Sequence, residues 1–390
     1  DRARAAFERA LVLEPDNVEA AVGVTLLDLS AIPRSSSDRV PRQKSAVKRI
    51  NGLAAKGVTN PMVLNHEANH TFWRFEPVKG WLASVVEGQA AVVLSPDKAL
   101  QASGDVDVIP PNAISESLTA GVPVRFGAKE DGKWVDSGGV WEAKIADAPE
   151  KLADGGLRFT LSRAWTRASS SSVPLHCPNY KKVEQHAGMA FHYTKTPEIK
   201  SESYYLLGRV EHARRNYTRA QGYYNGAIKQ FKNFAPAHFG LAQIHLLNRE
   251  YDKAIGCLED CVRDCPDTVE ALHLLGKLCV RPKEGSAPSA KVIDKALDYL
   301  KRAVDLEPDN AEVWLTRAQV LQNAPMAKPS SGSKGGSSSK TKGGDKPQSH
   351  VTEAYEAYTR AVALFRAREA KELAALEAER GEAGGAAGGL

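Results

Sequence analysis

The stretch from Leu207 to Pro266 decides the fold. Leu207-Gly208 is followed by Ala220, Tyr224 and Ala227; moved on by 34 residues, the same positions hold Leu241-Ala242, Ala254, Leu258 and Cys261, with Pro266 closing the second unit. This is the period of a helix-turn-helix repeat. A small residue in the first helix and another near the start of the second let two antiparallel helices approach closely. Large apolar residues three and four positions away fill the seam between them.

Working outward, the register continues at Leu275-Gly276 and resumes at Ala296, Leu300, Ala303 and Pro308 after an eight-residue slip. The slip falls at Arg281–Ala290, a Pro/Gly/Ser-rich stretch suited to a lengthened turn. Trp314 and Ala318 open another unit, whose second helix is expected over Val351–Arg366 with Ala354, Tyr358 and Ala361. Upstream, Ala3, Phe7, Ala10 and Pro15 form the second half of a leading unit. Val18–Ser30 pairs with Ser45–Ala55, and Pro61–Trp73 starts a further unit. Each unit buries its apolar face only against neighbours, so the expected fold is all-α, a tetratricopeptide-repeat superhelical solenoid.

Two segments interrupt it. Residues 328–349 are Ser, Gly and Lys without an apolar period, which reads as a flexible loop. Residues 76–179 lose the helical period altogether: the β-rich runs Val122–Gly127, Val140–Ile145 and Leu157–Leu161 alternate with Gly, Pro and Asp turns. Gly132-Lys133-Trp134 and Ser137-Gly138-Gly139 read as hairpin connections. Trp81, Trp134, Trp141 and Trp165 supply enough bulk for a small β core, a loosely ordered insertion being the alternative. The expected organisation is therefore repeat units over 1–75, a β-rich insertion over 76–179, repeat units over 180–327, the loop over 328–349, a last repeat helix over 350–380 and a disordered Gly/Ala tail over 381–390.

Composition limits the function. With 42% hydrophobic and 25% charged residues the chain has an ordinary globular mix, which excludes wholesale disorder. No apolar run approaches the ~20 residues of a membrane span. The acidic, amphipathic start at Asp1 is not a secretory signal and reads as the interior of a longer chain. Five thinly spread cysteines make no disulfide framework, which favours a reducing compartment. The formal charge is +5, but the Ser/Gly loop holds Lys328, Lys334, Lys340, Lys342 and Lys346 against Asp345 alone. The rest of the chain is within one charge of neutral, which favours protein partners over direct nucleic-acid binding.

The run Asn60-Pro61-Met62-Val63-Leu64-Asn65-His66-Glu67-Ala68-Asn69-His70 goes beyond generic repeat consensus. With Ala20–Val24, Ala190–His192, Ser201–Leu206 and Phe239–Gln243, it resembles the tetratricopeptide scaffold subunits of the RNA polymerase II-associated factor (Paf) complex. The order and spacing hold once the insertion is removed; the insertion itself has no counterpart in that family, whose members are longer. The resemblance implies a non-enzymatic nuclear scaffold that holds other Paf complex subunits on RNA polymerase II, supporting transcription elongation and co-transcriptional histone modification. It implies no cofactor, metal, small-molecule substrate or membrane. A generic adaptor, such as a co-chaperone or RNA-processing factor, is the alternative.

His66-Glu67-Ala68-Asn69-His70 also matches H-E-x-x-H, the zinc-hydrolase pattern in which two imidazoles share a helix face beside a carboxylate base. Leu64 and Ala68 fall in the repeat register, the resembled family implies no catalysis, and no third ligand is evident, so a zinc hydrolase stays a second alternative. Glu67 takes a seam position that favours Leu in other units, for which the sequence offers no packing reason. Cys257, Cys261 and Cys265 lie on one helical stripe and cannot surround a tetrahedral ion, so they read as small seam residues. Gly332–Gly344 lacks the order and the preceding strand of a phosphate-binding loop.

In repeats of this kind the first helices line a concave face. The positions beside the seam are Asn65 and Asn69, Tyr205 and Arg209, Phe239 and Gln243, His273 and Lys277, Leu315 and Gln319. Aromatic, amide and cationic side chains together suit a peptide partner, and these ten are the candidate site residues. The paired Lys and Asn of carboxylate-gripping co-chaperone repeats are absent.

Overall fold

In a computed structural model the chain divides into two compact units, Asp1–Gly240 and Leu241–Leu390. The structure describes residues 2–15, 17–30, 48, 52, 60–97, 118–127, 129–130, 133–134, 141–153, 156–166, 170–281, 288–324 and 348–385. Among the described residues the first unit carries α1 (Arg2–Leu13), α2 (Val18–Ser30), α3 (Pro61–Trp73), eleven strands, α4 (Tyr180–Tyr193), α5 (Pro197–Ala213) and α6 (Tyr217–Gln230). The division falls within α7 (Ala235–Leu247). The second unit carries α8 (Tyr251–Asp264), α9 (Val269–Cys279), α10 (Ala290–Leu306), α11 (Ala311–Gln322) and α12 (Gln348–Gly385). Apart from Lys48 and Gly52, the segment Ser45–Ala55 lies outside the described residues, as does most of the 328–349 loop. Helix α12 runs past the expected limit at 380 and ends at Gly385.

The repeat seam is visible in the burial. Ala220, Tyr224 and Ala227 of α6 are buried, as are Ala254, Leu258 and Cys261 of α8, and Ala296, Leu300 and Ala303 of α10. Tyr224 shows why the register demands small partners. Its ring lies between Gly208 and Gly240, where a Cβ would come within 2.6 Å and 2.7 Å of ring carbons. Its hydroxyl reaches His212 Nδ1 at 3.3 Å, so the large polar side chain is enclosed with its polar end satisfied.

The strands occupy Phe75–Pro178, where the helical period is lost. They are β1 (Phe75–Pro77), β2 (Trp81–Val85), β3 (Ala91–Pro96), β4 (Pro123–Phe126), β5 (Lys129–Glu130), β6 (Lys133–Trp134), β7 (Trp141–Lys144), β8 (Glu150–Lys151), β9 (Leu157–Thr160), β10 (Ser170–Val173) and β11 (Leu175–Pro178). One antiparallel sheet has the order β1-β11-β4-β7, a second β10-β2-β3-β9-β8, and β5 and β6 form a separate pair. Lys133 and Trp134 therefore belong to a strand and not to the hairpin connection expected there.

The strands pack as part of the first unit and not as an appendage. Trp81, Leu94, Val124, Phe126, Ile145 and Phe159 join Ala68 of α3, Val183 and Ala187 of α4, and Leu206 and Val210 of α5 in one continuous buried cluster. Gly121, with φ 90°, meets the end of α5 so closely that a Cβ would lie 2.6 Å from the Ala213 carbonyl oxygen. The first and last strands pair with each other, Phe75 opposite Pro178 and Glu76 opposite Cys177. Asn179 caps α4 by accepting from the Lys182 N–H at 3.1 Å, and its amide donates to Glu76 Oε2 at 3.0 Å. The chain thus returns where it left, and α3 packs directly on α4 although residues 74–179 intervene.

Candidate functional site

Helix α3 starts on Asn60, whose side chain accepts from the Met62 N–H at 2.9 Å, with Pro61 in the first turn. That start aims Asn65 and Asn69 at α5. Asn65 is wholly enclosed (0% exposed). Its Nδ2 donates to the Ile199 carbonyl at 3.0 Å and to Glu202 Oε2 at 3.3 Å, and its Oδ1 accepts from Ser203 Oγ at 2.9 Å. Burial pushes the Glu202 carboxyl up, and the Asn65 hydrogen bond opposes that shift. Asn65 is thus a bond between two helices and not a groove residue, because α5 supplies three polar partners at that point.

Asn69 is half-buried and accepts from Arg209 Nη1 at 2.6 Å. The Arg209 guanidinium lies over Phe72 at 3.9 Å, Trp73 at 4.8 Å and Tyr205 at 5.5 Å. Burial holds its pKa below the ordinary arginine value, with the nearby tyrosines opposing the shift. Tyr205 stacks near Tyr224 and edge-on to Phe234, at centroid distances of 6.0 Å and 5.7 Å. Phe239 is half-buried. The first unit therefore brings Asn69, Tyr205 and Arg209 together.

In the second unit, Gln243, Lys277 and Gln319 are exposed and Leu315 is half-buried. His273 is tied down: its Nε2 lies 2.7 Å from Thr316 Oγ1, and that hydroxyl donates to the Glu312 carbonyl at 3.0 Å. The imidazole Nε2–H is then the donor to Thr316. Burial holds the His273 pKa low, and Lys277 adds to the shift while Glu312 opposes it. Trp73, which no repeat-register argument selected, is 70% exposed at the end of α3.

The H-E-x-x-H match has a different local setting. His66 Nε2 is enclosed without a hydrogen-bond partner, and so is Nδ1 of His186 on α4. Burial holds both imidazoles below their ordinary value, and the Glu67 carboxylate opposes that on each. Glu67 thus lies near both imidazoles. Among the described residues no group of three or more His, Cys, Asp or Glu side chains is placed to hold a metal ion. Of the cysteine stripe, Cys261 is buried in the seam and Cys257 and Cys265 are half-buried; all three thiols are free. Among the described residues no helix is long and apolar enough to cross a membrane.

Residues 205–268 match the family model for the tetratricopeptide repeat. Over 158 residues, 38% of this chain, the sequence is 28% identical to the RNA polymerase-associated protein CTR9 of Caenorhabditis elegans. Over 143 residues, 36% of this chain, it is 30% identical to the CTR9 homolog of Arabidopsis thaliana. This chain is partly homologous to CTR9 proteins. The resemblance to the Paf complex scaffold subunits agrees with these matches. The aligned regions span 14% and 12% of the two CTR9 chains. Among solved structures, MamA of Desulfovibrio magneticus RS-1 aligns with 48% of this chain and 86% of its own at 17% identity and a TM-score of 0.33. YrrB, described as a tetratricopeptide protein with an unusual peptide-binding site, aligns with 49% and 83% at 14% identity and the same TM-score.

Proposed function

We propose that this chain is a non-enzymatic repeat scaffold of the Paf complex, holding other subunits of that complex on RNA polymerase II in the nucleus. In this role it supports transcription elongation and co-transcriptional histone modification. The observation that carries the reading is the partial similarity to two CTR9 proteins in a chain built of paired helices. The surface supports the protein-interaction part. Gln243 and Lys277 recur at the repeat period and Gln319 follows after the slip; all three are exposed, so they are free for polar contacts that orient a partner.

Affinity purification of the tagged chain from nuclear extract, followed by mass spectrometry, tests the reading. Recovery of polymerase-associated subunits is the expected result. Recovery of chaperones or processing factors without polymerase would replace it with the generic adaptor reading. Replacing Gln243, Lys277 and Gln319 together by Ala is expected to weaken capture without changing the thermal midpoint.

A further inference from the structure

The first unit contains a cation, Arg209, that no carboxylate among the described residues balances. The neighbouring arginines each have carboxylates: Arg214 pairs with Glu184 and Glu211, Arg219 with Glu211, and Arg125 with Glu142. Among the described residues Arg209 meets the neutral Asn69 oxygen and three aromatic faces. Among the described residues no carboxylate pairs with it, nor with the exposed Arg74 that follows Trp73. A largely buried guanidinium without an anion is costly, and a carboxylate brought to it forms a charge-assisted, bidentate pair.

We propose that Trp73, Arg74, Tyr205 and Arg209 form a docking site for an acidic peptide segment of a partner protein, one that sets an aromatic or aliphatic side chain beside a carboxylate. The carboxylate pairs with the free edge of the Arg209 fork, which Asn69 and the Phe72 ring already hold in place. The apolar side chain covers the indole of Trp73, 70% exposed beside the guanidinium. Trp and Arg are the residue types that anchor protein interfaces, because each offers large area or directed bonds for little lost freedom. Charge complementarity selects the acidic partner. A single fixed cation among aromatics lacks the run of cations that tracks a nucleic-acid backbone.

The proposal deepens the scaffold reading and rests on its protein-interaction part. Panning a phage-displayed library of random peptides on the full chain tests it. Recovered peptides are expected to carry Asp or Glu next to an aromatic or aliphatic residue. Binding of the recovered peptides should fall about tenfold or more in Trp73→Ala and in Arg209→Gln. Arg209→Lys, which keeps the charge and loses the fork, should fall between these and the parent, and Arg125→Gln should bind like the parent. Thermal melts identify any variant that fails to fold, and Trp73→Ala, a change at an exposed position, carries the test in that case. Peptides without acidic enrichment, undiminished binding by Trp73→Ala, no enrichment at all, or tighter binding of a short oligouridylate would each overturn the proposal. If the parent and Trp73→Ala both recover Paf subunits equally, the scaffold reading survives and this site does not. If acidic peptides are selected through Trp73 and Arg209 but no Paf subunit is recovered, the site stands and the Paf assignment falls.

Discussion

Phe75 lies opposite Pro178, so the two ends of the strand region are hydrogen-bonded neighbours. From that closure alone, the strands look removable. The shared core argues the reverse: Ala68, Val183, Ala187, Leu206 and Val210 lie in the same buried cluster as the strand residues. Replacing residues 76–178 by a short Gly/Ser turn is expected to cost at least about 3 kcal/mol, the scale of emptying a single large core site. Urea unfolding measures the loss, and new binding of a hydrophobic dye reports the stripped helix surface. An unchanged midpoint would show that the helices are self-sufficient.

Asn65→Ala removes one of the two acceptors of the Ser203 hydroxyl and one bond each to Ile199 and Glu202 in a site closed to water. The expected cost is about 1–3 kcal/mol, the penalty of polar groups left enclosed without bonds. Gln243→Ala, at an exposed position, should stay within about 0.5 kcal/mol in the same denaturant series.

Arg215 and Arg249 both have φ 61° and stand one repeat period apart, each in the turn that follows a first helix. The turns match in their bonds as well: Asn216 N–H donates to the Glu211 carbonyl and Glu250 N–H to that of His245, both at 2.8 Å. A left-handed backbone strains any residue with a Cβ. Arg249→Gly is expected to raise stability by about 0.5–1 kcal/mol, the left-handed strain outweighing glycine's greater unfolded-state entropy. Arg215→Gly should gain less, because the Arg215 side chain also reaches the Ala146 carbonyl at 3.5 Å.

Burial holds His66, His186, His212 and His273 below their ordinary value of 6.5. The unfolded chain therefore binds protons that the folded chain refuses. Their contribution to stability is complete above about 6.5 and is lost as pH falls below it through the folded values. Glu202, pushed up from 4.5, works in the opposite direction, so the slope of the melting temperature around 6.5 is compared between the parent and a histidine variant. His66 faces Glu67 and His70, and His186 faces Glu67 and Lys182. His66→Leu is expected to flatten the slope, and a steeper slope would contradict this account.

The helical seam was legible because its cause is local: Ala220, Tyr224 and Ala227 carry in their spacing the closeness of the helices they join. Three strand runs were legible for the same reason, through their β-rich composition between turn residues. The order of the strands was not, since β2 pairs with β10 and β3 with β9 across long stretches of chain. The repeat register places Asn65 beside the seam, a position that the sequence alone assigns to the groove. What encloses it are Ile199, Glu202 and Ser203 on α5, whose carbonyl, carboxylate and hydroxyl groups bond the amide. Trp73 escaped notice because it sits in the last turn of α3, outside the register positions that identified the others.

The facing of Phe75 and Pro178 also sets how the first unit responds to tension. The two residues form the open end of an antiparallel pair, so a pull along the polypeptide reaches β1 and β11 as an unzipping load. Their backbone hydrogen bonds then break one rung after another instead of sharing the force. Once those rungs part, the strands behind them can pay out on the order of 350 Å of extended chain. The first unit therefore carries a reserve of contour length behind a latch three residue pairs long.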